Sequence, residues 1–321
     1  MGEFELIARH FKRAVRAGSR RVALGIGDDC ALVAPDEGMQ LAVTTDMLVE
    51  GRHFLSTVAP ARLGHKALAV NLSDLAACGA EPIAFTLALA LPRADESFLA
   101  PFAAGLFALA EAQGVELVGG DTTAGPLNIC ITAFGQVPRG QALLRDGARA
   151  GDDLWVSGRL GDARLALEVF RGEVALDAAD FEQVREAMER PQPRVTLGRA
   201  LRGVATSAID LSDGLVGDLG HVLAASNVGA VVDADALPRS TVLARQSLAL
   251  QRQCVLAGGD DYELLFTAPA SRRAAIEAAA RLVGVPVTRF GQIDAAAGLH
   301  VVDRVGQPVE VSWRGFDHFA P

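Results

Sequence analysis

The chain has 321 residues, half of them hydrophobic, which suffices for two ordinary domains or one large one. Its formal charge of −9 argues against non-specific nucleic-acid binding and against attachment to an anionic membrane, since both need surplus Lys and Arg. Cys30, Cys78, Cys130 and Cys254 are widely separated and form no C-x-x-C pair, so reduced thiols are expected rather than a zinc site or a disulfide framework.

Phe4, Ile7, Ala8 and Phe11 are spaced for one face of an opening helix, which the region of Gly18 ends. This segment mixes charged and apolar residues and has no uninterrupted apolar core, so it does not read as a signal peptide. Residues 82–91, the longest strongly apolar stretch, are too few to span a bilayer as a helix, and a cytoplasmic location is expected. Periodicity predicts strands over 41–45, 83–91, 115–118 and 129–137, with helices over 63–79 and 98–113. A polar, Gly-rich stretch over 139–153 marks a boundary, which places the domains at 1–147 and 148–321. A second series opens with a strand at 154–157. It continues with helices over 162–171, 180–190, 194–204, 215–226 and 271–283 and strands over 208–211, 230–232 and 262–267. The alternation is that of an α/β or α+β protein.

Acidic residues recur at the ends of these apolar runs, beside Gly, Ser or Thr: Asp28-Asp29, Thr44-Thr45-Asp46, Ser73-Asp74, Gly120-Asp121-Thr122, Asp210-Leu211-Ser212-Asp213 and Gly259-Asp260-Asp261. A carboxylate beside buried strand costs several kcal/mol unless neutralised, and no matching Lys or Arg stands nearby. Hard divalent cations are the obvious partner; solvated turns and helix caps are the alternatives. Helix 63–79 is apolar nearly all round and therefore buried, and it carries Asn71 and Asp74 on one face. Either Lys66, about 12 Å away along the helix axis, or a metal must answer Asp74. The six His show no metal-binding spacing, and neither a Walker loop nor the protein-kinase motifs are present. Gly-Gly-Asp at 119–121 recurs at 258–260, a hint that the two halves resemble each other.

Six segments in order carry a closer resemblance: Gly-Ile-Gly-Asp-Asp-Cys-Ala (25–31), Thr-Thr-Asp-Met-Leu-Val-Glu-Gly-Arg-His-Phe (44–54), Gly-His-Lys-Ala-Leu-Ala-Val-Asn-Leu-Ser-Asp-Leu-Ala-Ala-Cys-Gly-Ala-Glu-Pro (64–82), Gly-Gly-Asp-Thr-Thr (119–123), Asp-Leu-Ser-Asp-Gly-Leu (210–215) and Gly-Gly-Asp-Asp-Tyr-Glu-Leu (258–264). Together they closely resemble the thiamine-monophosphate kinase family, within the wider superfamily of aminoimidazole ribonucleotide synthetase, over essentially the whole chain. The resemblance implies two α/β domains, an N-terminal domain pairing through its sheet in a homodimer, and ATP lying between acidic motifs. It implies transfer of the ATP γ-phosphoryl group to the phosphate of thiamine phosphate, assisted by several Mg²⁺ ions. Matched residue by residue, Asp29, Thr44, Thr45, Asp46, Asp74, Asp121, Asp210 and Asp213 take the metal positions. Gly120, Asp121, Arg145 and Ser212 take ATP positions, and His53, Asp260 and Phe316 take positions at the thiamine phosphate. Asp260 stands where the family usually has Glu, one methylene longer.

The acceptor in such a reaction is a phosphate largely dianionic at neutral pH, so no general base is expected. Repulsion between the two phosphate groups, roughly 4 kcal/mol per unit-charge pair at 4 Å and ε near 20, calls for several cations. Three other readings compete. They are another ATP-dependent member of the superfamily acting on an aminoimidazole precursor, selenide or a hydrogenase-maturation intermediate, a metal-dependent phosphohydrolase, and a non-catalytic nucleotide-binding protein.

Overall fold

A computed structural model describes residues 2–13, 15 and 19–310. The chain forms two compact units, one of residues 1–75 and 80–140, the other of residues 141 onward together with 76–79.

The first unit opens with a single helical turn, α1 (Glu3–Leu6), which widens into a π turn over Ile7–Phe11 and ends at Lys12, well short of the expected helix end. A small hairpin follows, β1 (Val22–Leu24) against β2 (Leu32–Val33). The frame of the unit is β3 (Met39–Val49), α2 (Pro60–Ala77), β4 (Glu81–Leu91), α3 (Glu96–Gln113), β5 (Glu116–Ala124) and β6 (Asn128–Pro138). Its four strands lie in the order β3, β6, β4, β5, with β4 and β5 parallel across the α3 crossover and the other pairs antiparallel. Residues 63–73 of α2 are all buried, as the all-round apolar pattern predicts. Helices α2 and α3 cross at two glycines: a Cβ on Gly64 would lie 2.0 Å from the Phe102 carbonyl, and one on Gly105 would lie 1.8 Å from that of Ala61.

The strands of this sheet outrun their predicted lengths. β3 pairs with β6 from Met39 opposite Pro138 to Val49 opposite Asn128, so Thr44 to Asp46 lie within the strand rather than at its end. Gly119, Gly120 and Asp121 likewise lie within β5. Gly120 has φ +143°, and a Cβ there would come 1.8 Å from the Leu87 carbonyl, so close approach of β4, not a turn, demands the glycine.

The second unit contains β7 (Asp152–Ser157), α4 (Asp162–Phe170), α5 (Ala178–Glu189), α6 (Val195–Ala200), β8 (Ser207–Asp210), α7 (Leu215–Ser226), β9 (Gly229–Asp233), α8 (Thr241–Ala244), α9 (Leu248–Ala257), β10 (Leu264–Pro269), α10 (Arg273–Val283), β11 (Val287–Asp294) and β12 (Gly298–Val302). Its six-stranded sheet runs β12, β9, β11, β7, β10, β8, antiparallel except for β12 beside β9. Trp155 on β7 stacks on its register partner Phe266 on β10, with ring centroids 6.3 Å apart. β10 starts at Leu264 rather than at 262 because Tyr262 has φ +48°, which no strand accommodates. The two Gly-Gly-Asp segments therefore differ locally: the first is strand, the second an irregular turn between α9 and β10.

Candidate active site

In the first unit, the shared face of Asn71 and Asp74 on α2 meets one face of β3. The Thr44 hydroxyl donates to the Asp74 carboxylate. Two residues further along the strand, the Asp46 N–H donates to Asn71 Oδ1 at 3.1 Å, while Asn71 Nδ2 donates to the Ala67 carbonyl at 3.2 Å. Asn71 is fully buried with both ends of its amide engaged, so it ties the strand to the helix where Asp46 stands. Thr45 belongs to the other face: its hydroxyl pairs with that of Thr132 on β6 at 2.9 Å. Side chains alternate along a strand, so the Thr45 hydroxyl lies apart from the Thr44 and Asp46 side chains.

After β3 the chain turns back, and the Val49 N–H donates to His53 Nδ1 at 2.9 Å. That contact places the imidazole proton on Nε2. Lys66, buried in α2, donates to the His53 carbonyl at 3.1 Å, so the lysine helps hold the loop that carries His53. Asp28 and Asp29 are exposed, with the Asp29 N–H on Asp28 Oδ1 at 2.8 Å. Asp121 is exposed on β5, opposite Ala88 of β4. Burial, and then the charge of Asp46, raise the Cys130 thiol above its ordinary pKa, which marks the cysteine as a neutral neighbour of the acid.

In the second unit, Asp210 is buried as the last residue of β8, opposite Leu264. The turn after it, with Ser212 and Asp213, interlocks with the 258–264 turn: the Asp260 N–H donates to the Ser212 carbonyl at 2.9 Å and the Tyr262 N–H to that of Leu211 at 2.8 Å. Two motifs about fifty residues apart in sequence are thus one surface.

Below that surface lies Asp218, in the first turn of α7. Its carboxylate accepts the Asp213 N–H at 3.1 Å. Burial pushes its pKa up to about 7, against the pull of the N–H groups of Asp213, Ser212 and Gly214 and with the Asp213 charge adding to the rise. Asp261 accepts the Gly161 N–H with both oxygens, at 2.9 and 3.1 Å, and burial holds its carboxyl well above the usual range. Glu263 is clamped by Arg194, Nε on Oε2 at 2.6 Å and Nη2 on Oε1 at 2.5 Å, and accepts the Ser157 hydroxyl as well. Burial alone would lower the Arg194 pKa, but its two contacts with Glu263 outweigh this and raise it. Arg145 is exposed in a single 3-10 turn, its carbonyl held by the Ser226 hydroxyl at 2.8 Å. Phe316 lies outside the described residues.

Sequence reasoning placed the acids but missed their supports, Asp218, Tyr262, Glu263 and Arg194. Only Asp218 had a local signal, an acid one turn into the helix that follows Asp213. The candidate metal side chains are Asp and Thr, an oxygen-only donor set that fits Mg²⁺. Among the described residues no three His, Cys, Asp or Glu side chains converge into a cage. Mg²⁺ needs none, since it takes one or two protein carboxylates and completes its octahedron with water and phosphate oxygens.

The AIR synthase related protein N-terminal domain matches residues 27–137, and the C-terminal domain of the same family matches residues 149–304. Thiamine-monophosphate kinase of Salmonella typhimurium is 48% identical over 322 residues, covering 99% of this chain and 98% of that one. The crystal structure of thiamine-monophosphate kinase from Stenotrophomonas maltophilia superposes with a TM-score of 0.85 at 48% identity, covering 95% of this chain and 96% of the other. AaThiL complexed with AMPPCP and TMP superposes at 0.77 and 31% identity, covering 89% of each chain. No helix among the described residues is long and apolar enough to cross a membrane. With two α/β domains matched in order and such identity over its full length, the chain belongs to the thiamine-monophosphate kinase family of AIR synthase related proteins.

Proposed function

We propose that this chain catalyses ATP-dependent phosphorylation of thiamine phosphate, giving thiamine diphosphate and ADP, with Mg²⁺ ions as cofactor. The observation that carries the reading is end-to-end similarity, at 48% identity, to named thiamine-monophosphate kinases. A 31% identical relative complexed with AMPPCP and TMP supports the two substrates, read as ATP and thiamine monophosphate.

Asp29, Thr44, Asp46, Asp74, Asp121, Asp210 and Asp213 are the residues that would hold Mg²⁺; the Thr45 hydroxyl, turned to the other face of β3 and paired with Thr132, is set aside from that group. Bound there, the ions would neutralise charge on both phosphate-bearing substrates and on the departing oxygen. Gly120, Asp121, Arg145 and Ser212 are assigned to ATP. Arg145 brings a charge that cannot be lost. His53, Asp260 and Phe316 are assigned to thiamine phosphate. One acceptor phosphate oxygen forms a bond to Pγ while the bond from Pγ to the β,γ-bridging oxygen breaks, and ADP leaves. The acceptor is already deprotonated at neutral pH, so no side chain need remove a proton.

A homodimer formed through the first unit's sheet belongs to the same proposal. β3 is an edge strand whose outward residues Leu41, Val43 and Met47 are 48, 57 and 53% exposed, an apolar row suited to a second copy of the chain. A cytoplasmic location accords with the reduced thiols and with the supply of ATP.

Incubation with ATP, Mg²⁺ and thiamine phosphate should yield thiamine diphosphate equimolar with ADP. Asp46→Asn and Asp74→Asn should each lower kcat by at least about a hundredfold while keeping the wild-type circular dichroism. Release of free thiamine or inorganic phosphate would instead mark a hydrolase, and near-wild-type rates in both variants would overturn the metal assignment.

A further inference from the structure

Among the described residues, three that are not glycine have a left-handed backbone: Asn227, Asp260 and Tyr262. Asn227 is the C-cap of α7, where that conformation is ordinary. The other two flank Asp261, with φ +67° at Asp260 and +48° at Tyr262. Asp tolerates this region; for a bulky aromatic residue it is a true outlier, and such strain persists only where the surroundings impose it. Here the surroundings do. The N–H groups of both residues are bonded to the 211–212 turn, Asp261 is bonded to the Gly161 N–H, and Glu263 is clamped by Arg194.

What the strain secures is local. The Tyr262 hydroxyl donates to Asp260 Oδ1 at 3.1 Å. Two left-handed residues one apart bring a ring and a carboxylate together, and the ring itself is buried. An unrestrained Asp side chain would rotate among staggered wells; a hydroxyl fixed on a buried ring selects one of them.

We propose that Tyr262 is a positioning residue that fixes the Asp260 carboxylate for recognition of the cationic, N–H-bearing heterocycles of thiamine phosphate, an inference that rests on placing Asp260 at that substrate. A carboxylate is attracted to a thiazolium charge or an aminopyrimidine N–H and repelled by a phosphate, so the pair reads the part of the substrate that ATP lacks. Tyr262 is the chain's sole tyrosine, so no other residue supplies a phenol here.

The test is a double-mutant cycle of Tyr262→Phe and Asp260→Asn in the full-length enzyme, with initial rates measured against both substrates. Tyr262→Phe keeps the ring and its burial. It should raise KM for thiamine phosphate about tenfold, the scale of one hydrogen bond to a charged group, and leave kcat, KM for ATP and Tm near wild type. Asp260→Asn should raise the same KM at least as far, and the double variant should match Asp260→Asn within about twofold, because the hydroxyl acts only through the carboxylate. With ¹³Cζ-tyrosine the single resonance should move on Asp260→Asn, a readout independent of turnover. A wild-type KM in Tyr262→Phe beside a raised KM in Asp260→Asn overturns the positioning role and leaves Asp260 at the substrate. An unchanged KM in Asp260→Asn overturns the placement of Asp260 and the inference with it. Multiplicative losses in the double variant, or a fall in kcat and Tm in Tyr262→Phe, overturn the inference in favour of a structural role.

Discussion

Replacing Arg194 with Met should be among the most damaging single changes in the second unit. The Glu263 side chain is 7% exposed and that of Arg194 22%. The guanidinium closes both carboxylate oxygens, at 2.6 and 2.5 Å, and the remaining partner is the Ser157 hydroxyl, which also accepts the Leu264 N–H at 2.8 Å. Met fills similar volume but leaves a buried carboxylate without its counter-ion, a loss of roughly 3–5 kcal/mol. Most of that loss is the cost of an uncompensated charge, so adding Glu263→Gln should recover roughly half of it even though a second native group is removed. The assay is urea unfolding followed through tryptophan fluorescence; of the two tryptophans in the sequence, Trp155 lies on β7, the strand that also carries Ser157. A midpoint for Arg194→Met within about 1 kcal/mol of wild type, or a double variant no more stable than the single one, would refute the reasoning.

Two other outcomes follow from the same physics. Asp218 has its pKa raised from the ordinary 3.8 to about 7, so protonation favours the folded chain: its contribution is complete below about pH 4 and is lost as pH rises through about 7. Without nucleotide or metal, wild-type stability relative to Asp218→Asn should therefore decline between pH 4 and 8 by on the order of 4 kcal/mol, as read by urea midpoints; a flat difference would mean that the carboxyl is charged throughout. Val43→Glu, on the outward row of β3, should leave the fold intact and yield a monomer by light scattering, and a persistent dimer would place the interface elsewhere.

Much of the site was legible because its chemistry is local. Small residues beside acids, in six short segments, carry the family resemblance wherever they fold, and the apolar circumference of α2 announces its burial. Helix Leu215–Ser226 was also readable to the residue, since Gly214 precedes it and Asn227 ends it. Strand lengths were less legible. Asp46 and Gly119-Gly120 read as strand ends because acids and glycines interrupt apolar runs, yet the backbone ladders to β6 and β4 carry both strands past them. The run over Leu248–Ala257 was not recognised as a helix, since Gln251, Arg252 and Gln253 dilute its apolar face.

The sequence by itself determined the family, because residue types and short spacings survive without coordinates. Tertiary structure decided which groups act together. Thr45 parts from Thr44 and Asp46 because a strand alternates its faces, whereas Asn71 and Asp74 meet that strand because a helix returns to one face after three residues. Arg194 finds Glu263 across 69 residues, and Tyr262 closes on Asp260 only because two backbones are held left-handed by partners far off in the chain. Hydrogen bonds of that kind follow from the packing of separate elements, and no spacing along the chain encodes them.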